Sequence, residues 1–108
     1  MSETLRRVQA LVSSGDYLIS RHGFRELAAD DIVAQDTLTD IERAIVVEDY
    51  PDSRKEPSVL VLQYDSDRRP IHVMWGVPRA TGRPAILVTA YRPAPDKWSA
   101  DFRRRKRQ

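Results

Sequence analysis

The chain of 108 residues carries a net charge of +2, and 41% of its residues are hydrophobic, so it is long enough to form one domain with its own core. Because it contains no cysteine, disulfide bonds, thiol catalysis and cysteine-based zinc sites are excluded, and a cytoplasmic location is expected. No apolar run reaches the roughly 18 residues of a membrane span, and the polar N-terminal segment is unlike a signal peptide.

The first part of the chain is predicted to be helical. Ser2 can cap a helix that runs to about Ser14, because the apolar residues between them recur at helical spacing. The segment DYLIS is then expected to be short and extended, and Ser20 can cap a second helix over RHGFRELAAD. A third short helix is predicted over TLTDIERAI, with Thr37 or Thr39 as its cap, while DDIVAQ fits either a helix or an extended segment.

From residue 45 onward the hydrophobic pattern is that of strands. Four strands are predicted over IVVEDY, SVLVLQY, PIHVMWGV and AILVTAY, with polar turns between them. In the third of these, Ile71, Val73, Trp75 and Val77 are expected to point to one face, and His72, Met74 and Gly76 to the other.

The expected fold class is therefore α+β in a single domain, residues 1–108. N-terminal helices are followed by a four-stranded antiparallel meander sheet and a C-terminal helical tail. The tail is predicted over DKWSADFRRRK, where Trp98 and Phe102 have the spacing of one helix face. Residues 99–108 form a basic tail for which disorder is the alternative to helix.

The two halves of the chain differ in charge. Residues 1–56 hold 7 basic and 12 acidic residues, a net charge of −5, whereas residues 57–108 hold 11 basic and 4 acidic residues, a net charge of +7. A basic half attracts polyanions such as RNA, because binding releases counterions. The same charges also suit an ordinary solvated surface and a soluble tail, so charge alone leaves both interpretations open.

His22 and Arg25 lie three residues apart at the start of the predicted second helix, so they share one of its faces. Histidine exchanges protons near neutral pH, and arginine can hold a phosphate through two hydrogen bonds, so the pair suits phosphodiester chemistry. In the alternative interpretation, the pair lies on an ordinary exposed helix start and Arg25 is paired with an acid.

The second histidine, His72, lies in the middle of the third predicted strand and shares a face with Gly76. A glycine leaves room there for a ligand or for another backbone segment. The alternative is a half-buried structural histidine that is bonded to a backbone carbonyl or to water. Since neither histidine has the spacing of a metal-binding pair, no metal and no cofactor are expected.

Three tyrosines, Tyr50, Tyr64 and Tyr91, lie at the ends of predicted strands, and Arg92 follows the last of them. Phenol and guanidinium groups can orient a base or a phosphate on the surface of a sheet. The alternative is that the tyrosine rings pack against the sheet while their hydroxyls remain in water.

Several short motifs occur together in the order of a known bacterial family. The segments are ISRHGFREL, VVEDYPD, VLVLQYDSDRRPIHVMWGV and ILVTAYRPAPDKWSADFRRRK, and they resemble domain of unknown function 4258 over about residues 17–105. That family is similar to the bacterial toxins of the RelE and MqsR type, α+β proteins that cleave RNA without a metal. The resemblance implies a RelE-like fold and an endoribonuclease toxin of a toxin–antitoxin pair.

The resemblance also implies site residues and partners. His22 and Arg25 match the family's helix pair, His72 matches its sheet histidine and Tyr91 its last strand tyrosine. In RNA cleavage by 2′-OH attack, His72 or His22 would act as base or acid and Tyr91 would assist. Arg25 would hold the phosphate. The expected substrate-binding residues are Arg92, Tyr50 and Tyr64. The implied partners are RNA and a small zinc-binding antitoxin-like protein. A homodimer is a separate expectation that does not come from the resemblance.

Three interpretations of the function remain open. The first is the metal-independent endoribonuclease, although the acidic character of the segment HGFRELAADDIVAQD beside the expected site counts against it. The second is a non-catalytic module that binds a protein or a nucleic acid, in which His72 is structural. A small-molecule enzyme that uses the same residues is a third interpretation.

Overall fold

Residues 2–106 are described by a computed structural model, in which helices lie against a five-stranded sheet. The bounds of the elements, in chain order, are α1 Glu3–Ser13, β1 Tyr17–Ile19, α2 Arg21–Ala29, α3 Ala34–Thr39, a short 3₁₀ turn Ile41–Arg43, β2 Ile45–Tyr50, β3 Ser58–Tyr64, β4 Pro70–Gly76 and β5 Ala85–Tyr91.

The first two helices begin where their capping residues predict. The Ser2 side chain accepts a hydrogen bond from the Leu5 amide at 3.0 Å, and the Ser20 side chain accepts one from the Gly23 amide at 2.9 Å. The third helix begins earlier than expected, at Ala34, so the prediction of Thr37 or Thr39 as its cap is wrong. Thr37 lies inside α3, and its hydroxyl donates to the Ala34 carbonyl at 2.7 Å.

The sheet has the strand order β1-β5-β4-β3-β2, and the prediction of a four-stranded antiparallel meander is wrong. The four predicted strands are present and antiparallel, but β1 adds a fifth strand that runs parallel to β5. The pairing is closed by hydrogen bonds from the Ala85 amide to the Asp16 carbonyl and from the Ser20 amide to the Leu87 carbonyl, both at 3.0 Å. The segment DYLIS was predicted to be extended, but three residues are too few for an apolar pattern to show that it pairs with another strand.

The predicted C-terminal helical tail is also wrong. Residues 93–106, called the C-terminal strap below, form turns and a single bridge between Trp98 and Arg105. The Ser99 and Asp101 side chains accept hydrogen bonds from the amides of Arg104 and Arg103. Such local bonds offer the backbone an alternative to helix, which explains why the helical spacing of the two aromatic residues was misleading.

The two faces of the sheet are covered by different parts of the chain. Helix α1 and the start of α2 pack on one face, here called the helix-covered face, where the main core lies. The members of this core from β3 and β4 include Val59, Val61, Ile71, Val73 and Trp75. The alternate residues Leu60, Leu62 and His72 are equally buried but face the C-terminal strap on the opposite side. The predicted division of β4 into two faces is confirmed.

Candidate functional site

The candidate site is centred on His72 in the middle of β4, a side chain with no exposed surface. Its Nε2 atom lies 2.8 Å from the carbonyl oxygen of Phe102, and its Nδ1 atom lies 3.1 Å from the hydroxyl of Tyr91. Because a carbonyl oxygen only accepts, Nε2 carries the proton, and Nδ1 of the neutral ring accepts from the tyrosine. Both ring nitrogens are therefore satisfied by the chain itself.

Aromatic rings enclose the imidazole on two sides. The Trp98 ring, which is buried, meets it edge to face at a centroid distance of 4.4 Å, and the Tyr91 ring does so at 5.3 Å. Tyr91 is the direct partner of His72 in the pairing of β4 with β5, whereas Trp98 comes from the C-terminal strap. His72 and Tyr91 thus both lie in the sheet, and the strap covers His72 on its other side.

An ion pair fastens the strap beside this enclosure. The Arg105 guanidinium lies 4.8 Å from the centre of the Trp98 ring and donates to the Glu48 carboxylate of β2 at 2.7 Å. The Tyr50 hydroxyl donates to the same carboxylate at 2.5 Å. The hydrogen bond from Arg105 is the main cause that lowers the pKa of Glu48, so this carboxylate is charged at neutral pH.

Burial keeps the central pair uncharged. It lowers the pKa of His72 below its ordinary value of 6.5, and it raises the pKa of Tyr91 above its ordinary value of 10.0. At neutral pH the site therefore contains a neutral imidazole and a neutral phenol. In this closed arrangement the His72 ring is not exposed to solvent and Tyr91 is only partly exposed, although the chemistry of both suits proton transfer once the histidine is uncovered.

The other predicted catalytic residues, His22 and Arg25, lie on a different part of the surface. Helix α2 buries Gly23 and Leu27, and Leu27 belongs to the core of the helix-covered face. His22 and Arg25 are exposed on this helix, on the opposite side of the sheet from His72. The structure therefore brings His72 and Tyr91 together, but it does not bring the helix pair to them.

Arg92, predicted to hold a phosphate, is engaged in contacts within the chain. Its guanidinium lies 3.1 Å from the buried carboxylate of Asp65 and donates to the carbonyls of Asp30 and Asp31 beyond the end of α2, at 3.2 Å each. Among the buried side-chain atoms of residues 2–106, its Nη1 is the one without a partner. Arg92 thus ties α2, β5 and the β3–β4 turn together.

The two remaining predicted residues are not part of one site. Tyr50 is bonded to Glu48 beside the strap, as described, whereas Tyr64 lies at the end of β3 in an open cleft of about 540 Å³ that also contains Asp40, Arg43 and Asp65. The lining of that cleft contains both acidic and basic side chains, so it does not present a group of like-charged ligands.

The sequence predictions missed the contribution of the strap to the site. Glu48 and Arg105 were not predicted, and Trp98 and Phe102 were assigned to a helix. Signals were present in the two prolines after Tyr91 and in Ser99 and Asp101, because all of these favour turns over helix.

Within residues 2–106, no three His, Asp or Glu side chains are grouped closely enough to hold a metal ion. No helix in this part of the chain has the length and apolar character needed to cross a bilayer.

Comparison with known protein families matches residues 19–92 to the domain of unknown function DUF4258. The chain belongs to the DUF4258 family. No curated protein and no solved structure gives a significant match. The DUF4258 match contains the four predicted catalytic residues, His22, Arg25, His72 and Tyr91, and it ends at Arg92. The strap that covers the buried histidine therefore lies outside the matched region.

Proposed function

We propose that this DUF4258 protein is a non-catalytic nucleic-acid-binding module that contacts single-stranded RNA through the exposed face of α2. One observation carries the proposal. Arg21, His22, Phe24 and Arg25 are all exposed within the first turns of this nine-residue helix. These four residues are called the α2 surface below.

Helix stability does not explain why the α2 surface contains the basic residues Arg21 and Arg25. The N-terminus of a helix carries a partial positive charge, so basic residues there are unfavourable and acidic ones are preferred. The first turn of α2 has no acidic residue, and within residues 2–106 neither Arg21 nor Arg25 forms an ion pair. A bound phosphate would remove this electrostatic conflict, because it would interact favourably with the helix end and with both guanidinium groups.

Phe24 adds a surface on which a base can stack. Its side chain is 66% exposed, and it follows Arg21 by three positions and precedes Arg25 by one, so the three share one side of α2. An exposed aromatic ring between cations is the arrangement with which proteins bind single-stranded nucleic acid without reading its sequence. An exposed phenylalanine has no other role in the packing of this helix, whose buried residues are Gly23 and Leu27.

The non-catalytic part of the proposal is supported by the state of His72. Its side chain is fully buried, and both of its ring nitrogens are hydrogen-bonded to Tyr91 and to the Phe102 carbonyl. A general base has to reach the proton that it removes, within hydrogen-bond distance or through one water. In the closed arrangement His72 instead holds the strap to the sheet.

Binding of a labelled single-stranded oligouridine, measured by fluorescence anisotropy over a series of salt concentrations, tests the proposal. Replacing Arg21 and Arg25 together by alanine should weaken binding and make the slope of log K against log salt shallower by about 1.4, since each phosphate contact contributes roughly 0.7. Phe24→Ala should weaken binding by about 1–3 kcal/mol at all salt concentrations.

The matched control is the double variant Arg54→Ala/Lys55→Ala, which removes the same charge from an exposed loop. It should retain the affinity and the slope of the wild type. Equal losses in the two double variants would mean that the attraction depends only on net charge, and the α2 surface would then not be the binding site.

A second candidate is the metal-independent endoribonuclease toxin implied by the resemblance to RelE and MqsR toxins, with a small antitoxin-like protein as its partner. The observation that favours it is the concentration of proton-transfer groups on one sheet face: His72 and Tyr91 in direct contact, with Glu48 and Tyr50 beside them. In that reaction the 2′-oxygen attacks phosphorus, a base takes the 2′-OH proton, and an acid protonates the departing 5′-oxygen.

Inducible expression with simultaneous measurement of growth and RNA integrity separates the two candidates. A toxin arrests growth and degrades RNA, and His72→Ala or Tyr91→Phe should abolish both effects while the variant protein remains soluble. The binding module leaves cellular RNA intact in all three strains. Arrest that survives both substitutions would exclude this pair as the catalytic groups.

A further inference from the structure

We infer that the C-terminal strap is a removable cover: residues 93–106 lift from the sheet as one unit while the helix-covered core stays folded, and this exposes the His72–Tyr91 pair to solvent. The inference concerns access to one face of the sheet. It therefore holds or fails independently of RNA binding by the α2 surface.

The strap is a self-contained unit. Its own backbone hydrogen bonds join the Ser99 amide to the Arg104 carbonyl at 2.8 Å and the Lys106 amide to the Lys97 carbonyl at 2.9 Å. These bonds close a small hairpin around the bridge between Trp98 and Arg105. Because they lie within the strap, lifting it does not require any of them to break, but a hairpin this small is only marginally stable once it is free of the sheet, so its amides then exchange readily.

The specific contacts that attach this unit to the sheet are the packing of Trp98 on His72, the hydrogen bond from His72 to the Phe102 carbonyl, and the ion pair between Arg105 and Glu48. The strap also covers the apolar side chains of Leu60 and Leu62. None of the strap residues belongs to the hydrophobic core of the helix-covered face. Loss of these attachments therefore leaves the main core of the domain intact, which is the condition for a local opening.

The conformation of Phe102 also favours release. Its φ of +61° lies in the left-handed region, which is uncommon for a bulky side chain. In this conformation its carbonyl oxygen reaches His72. When the strap lifts, the residue can return to an ordinary conformation, and water can satisfy the ring nitrogens and the carbonyl.

Opening can be measured with a cysteine placed under the strap, because the chain has no cysteine of its own. Leu62 pairs with His72 across β3 and β4, faces the strap and is 1% exposed. Its neighbour Val61 is 0% exposed and faces the helices. Leu62→Cys and Val61→Cys therefore report on the two faces of one strand.

The expected result is that a thiol reagent modifies Leu62→Cys at least about tenfold faster than Val61→Cys under native conditions. Arg105→Ala, added to Leu62→Cys, should raise the modification rate roughly threefold to fivefold, in keeping with the modest strength of an exposed ion pair. Arg104→Ala removes the same charge from an exposed strap residue with no acid partner in residues 2–106, and it should leave the rate unchanged.

Equal modification rates at the two cysteines, with no effect of Arg105→Ala, would overturn the inference, since both sites would then open only in global unfolding. If a cysteine variant fails to fold, hydrogen exchange of the wild-type chain tests the strap opening instead. The amides of Ser99 and Lys106 should then exchange much faster than that of Val73 in the middle of β4. Equal protection would also overturn the inference.

Discussion

The Nε2 atom of His72 donates a hydrogen bond to the carbonyl oxygen of Phe102, thirty residues further along the chain, at 2.8 Å. The bond joins the middle of the sheet to a backbone segment that has no regular secondary structure. It makes the buried imidazole a link between two parts of the fold, and several predictions depend on that link or on similar long-range contacts.

Replacing His72 by alanine should lower the free energy of unfolding by about 2–4 kcal/mol. The change leaves a cavity under Trp98 and removes the partner of both the Phe102 carbonyl and the Tyr91 hydroxyl. Tyr91→Phe, which removes one hydroxyl and keeps the ring, should cost about 1 kcal/mol. Urea unfolding followed by far-UV circular dichroism measures both; a cost below 0.5 kcal/mol for His72→Ala, on the scale of ordinary surface changes, would contradict the structural role.

The stability of the protein should fall as the pH decreases below about 6.5. Because burial lowers the pKa of His72 below 6.5, the unfolded chain binds a proton in this range that the folded chain does not. Unfolding therefore becomes more favourable with acid, and the contribution of His72 is fully present only above pH 6.5. Glu48 and Asp65 also have a lowered pKa, but their ordinary values of 4.5 and 3.8 place their loss of stability at lower pH.

The matched variant for this pH dependence is His72→Gln, because glutamine places no titratable group at this position. Its stability should be nearly constant from pH 7.5 to pH 5.5, whereas that of the wild type declines. Parallel curves for the two proteins would assign the decline to another group.

Gly23→Ala should destabilise the protein, although alanine is the better helix former by about 1 kcal/mol. A Cβ atom at this position would lie 2.6 Å from the backbone carbonyl oxygen of Leu87, which cannot move without disturbing β5. We expect a net loss of about 1–3 kcal/mol. Gly76→Ala is the comparison, because its Cβ would meet only the flexible end of Glu56 at 3.0 Å, and its cost should stay below about 1 kcal/mol. Thermal unfolding measures both, and the reverse order would contradict the close packing of α2.

Arg92 and Arg69 form ion pairs with the same carboxylate, Asp65, but differ in exposure. The Arg92 side chain is 24% exposed and the Arg69 side chain 58%. Arg92→Met should cost about 2–3 kcal/mol because it removes the closer and more buried cation from the Asp65 carboxylate and leaves the carbonyls of Asp30 and Asp31 without their guanidinium donor. Arg69→Met should cost less than about 1 kcal/mol. Similar losses in urea unfolding for the two variants would show that Arg92 is not the main partner of Asp65.

Much of the fold was predictable because its signals are local. The caps at Ser2 and Ser20 depend on residues within one helical turn, and the two faces of β4 follow from simple alternation. The pairing of β1 with β5 was not predictable in this way. It depends on a strand of three residues whose partner lies 68 positions further along the chain, from Tyr17 to Ala85.

For the candidate site, the sequence predicted His72 and Tyr91, and the structure places the two side chains in contact on adjacent strands. The strap contacts were not predictable, because the spacing of Trp98 and Phe102 fits a helix and the competing turn depends on side-chain bonds of Ser99 and Asp101. The family resemblance also grouped His22 and Arg25 with the sheet residues, but the helical spacing of this pair contains no information on which side of the sheet the helix lies.

The parallel pairing of β1 with β5 also constrains the order of events during synthesis on the ribosome. Residues near the N-terminus leave the ribosome first, yet β1 has no partner until β5 has been translated and has emerged. Until then β4 also lacks its second neighbour, and the nascent chain exposes apolar strand edges. Completion of the sheet is therefore a late, non-local step, because the closing parallel pair joins segments far apart in the chain.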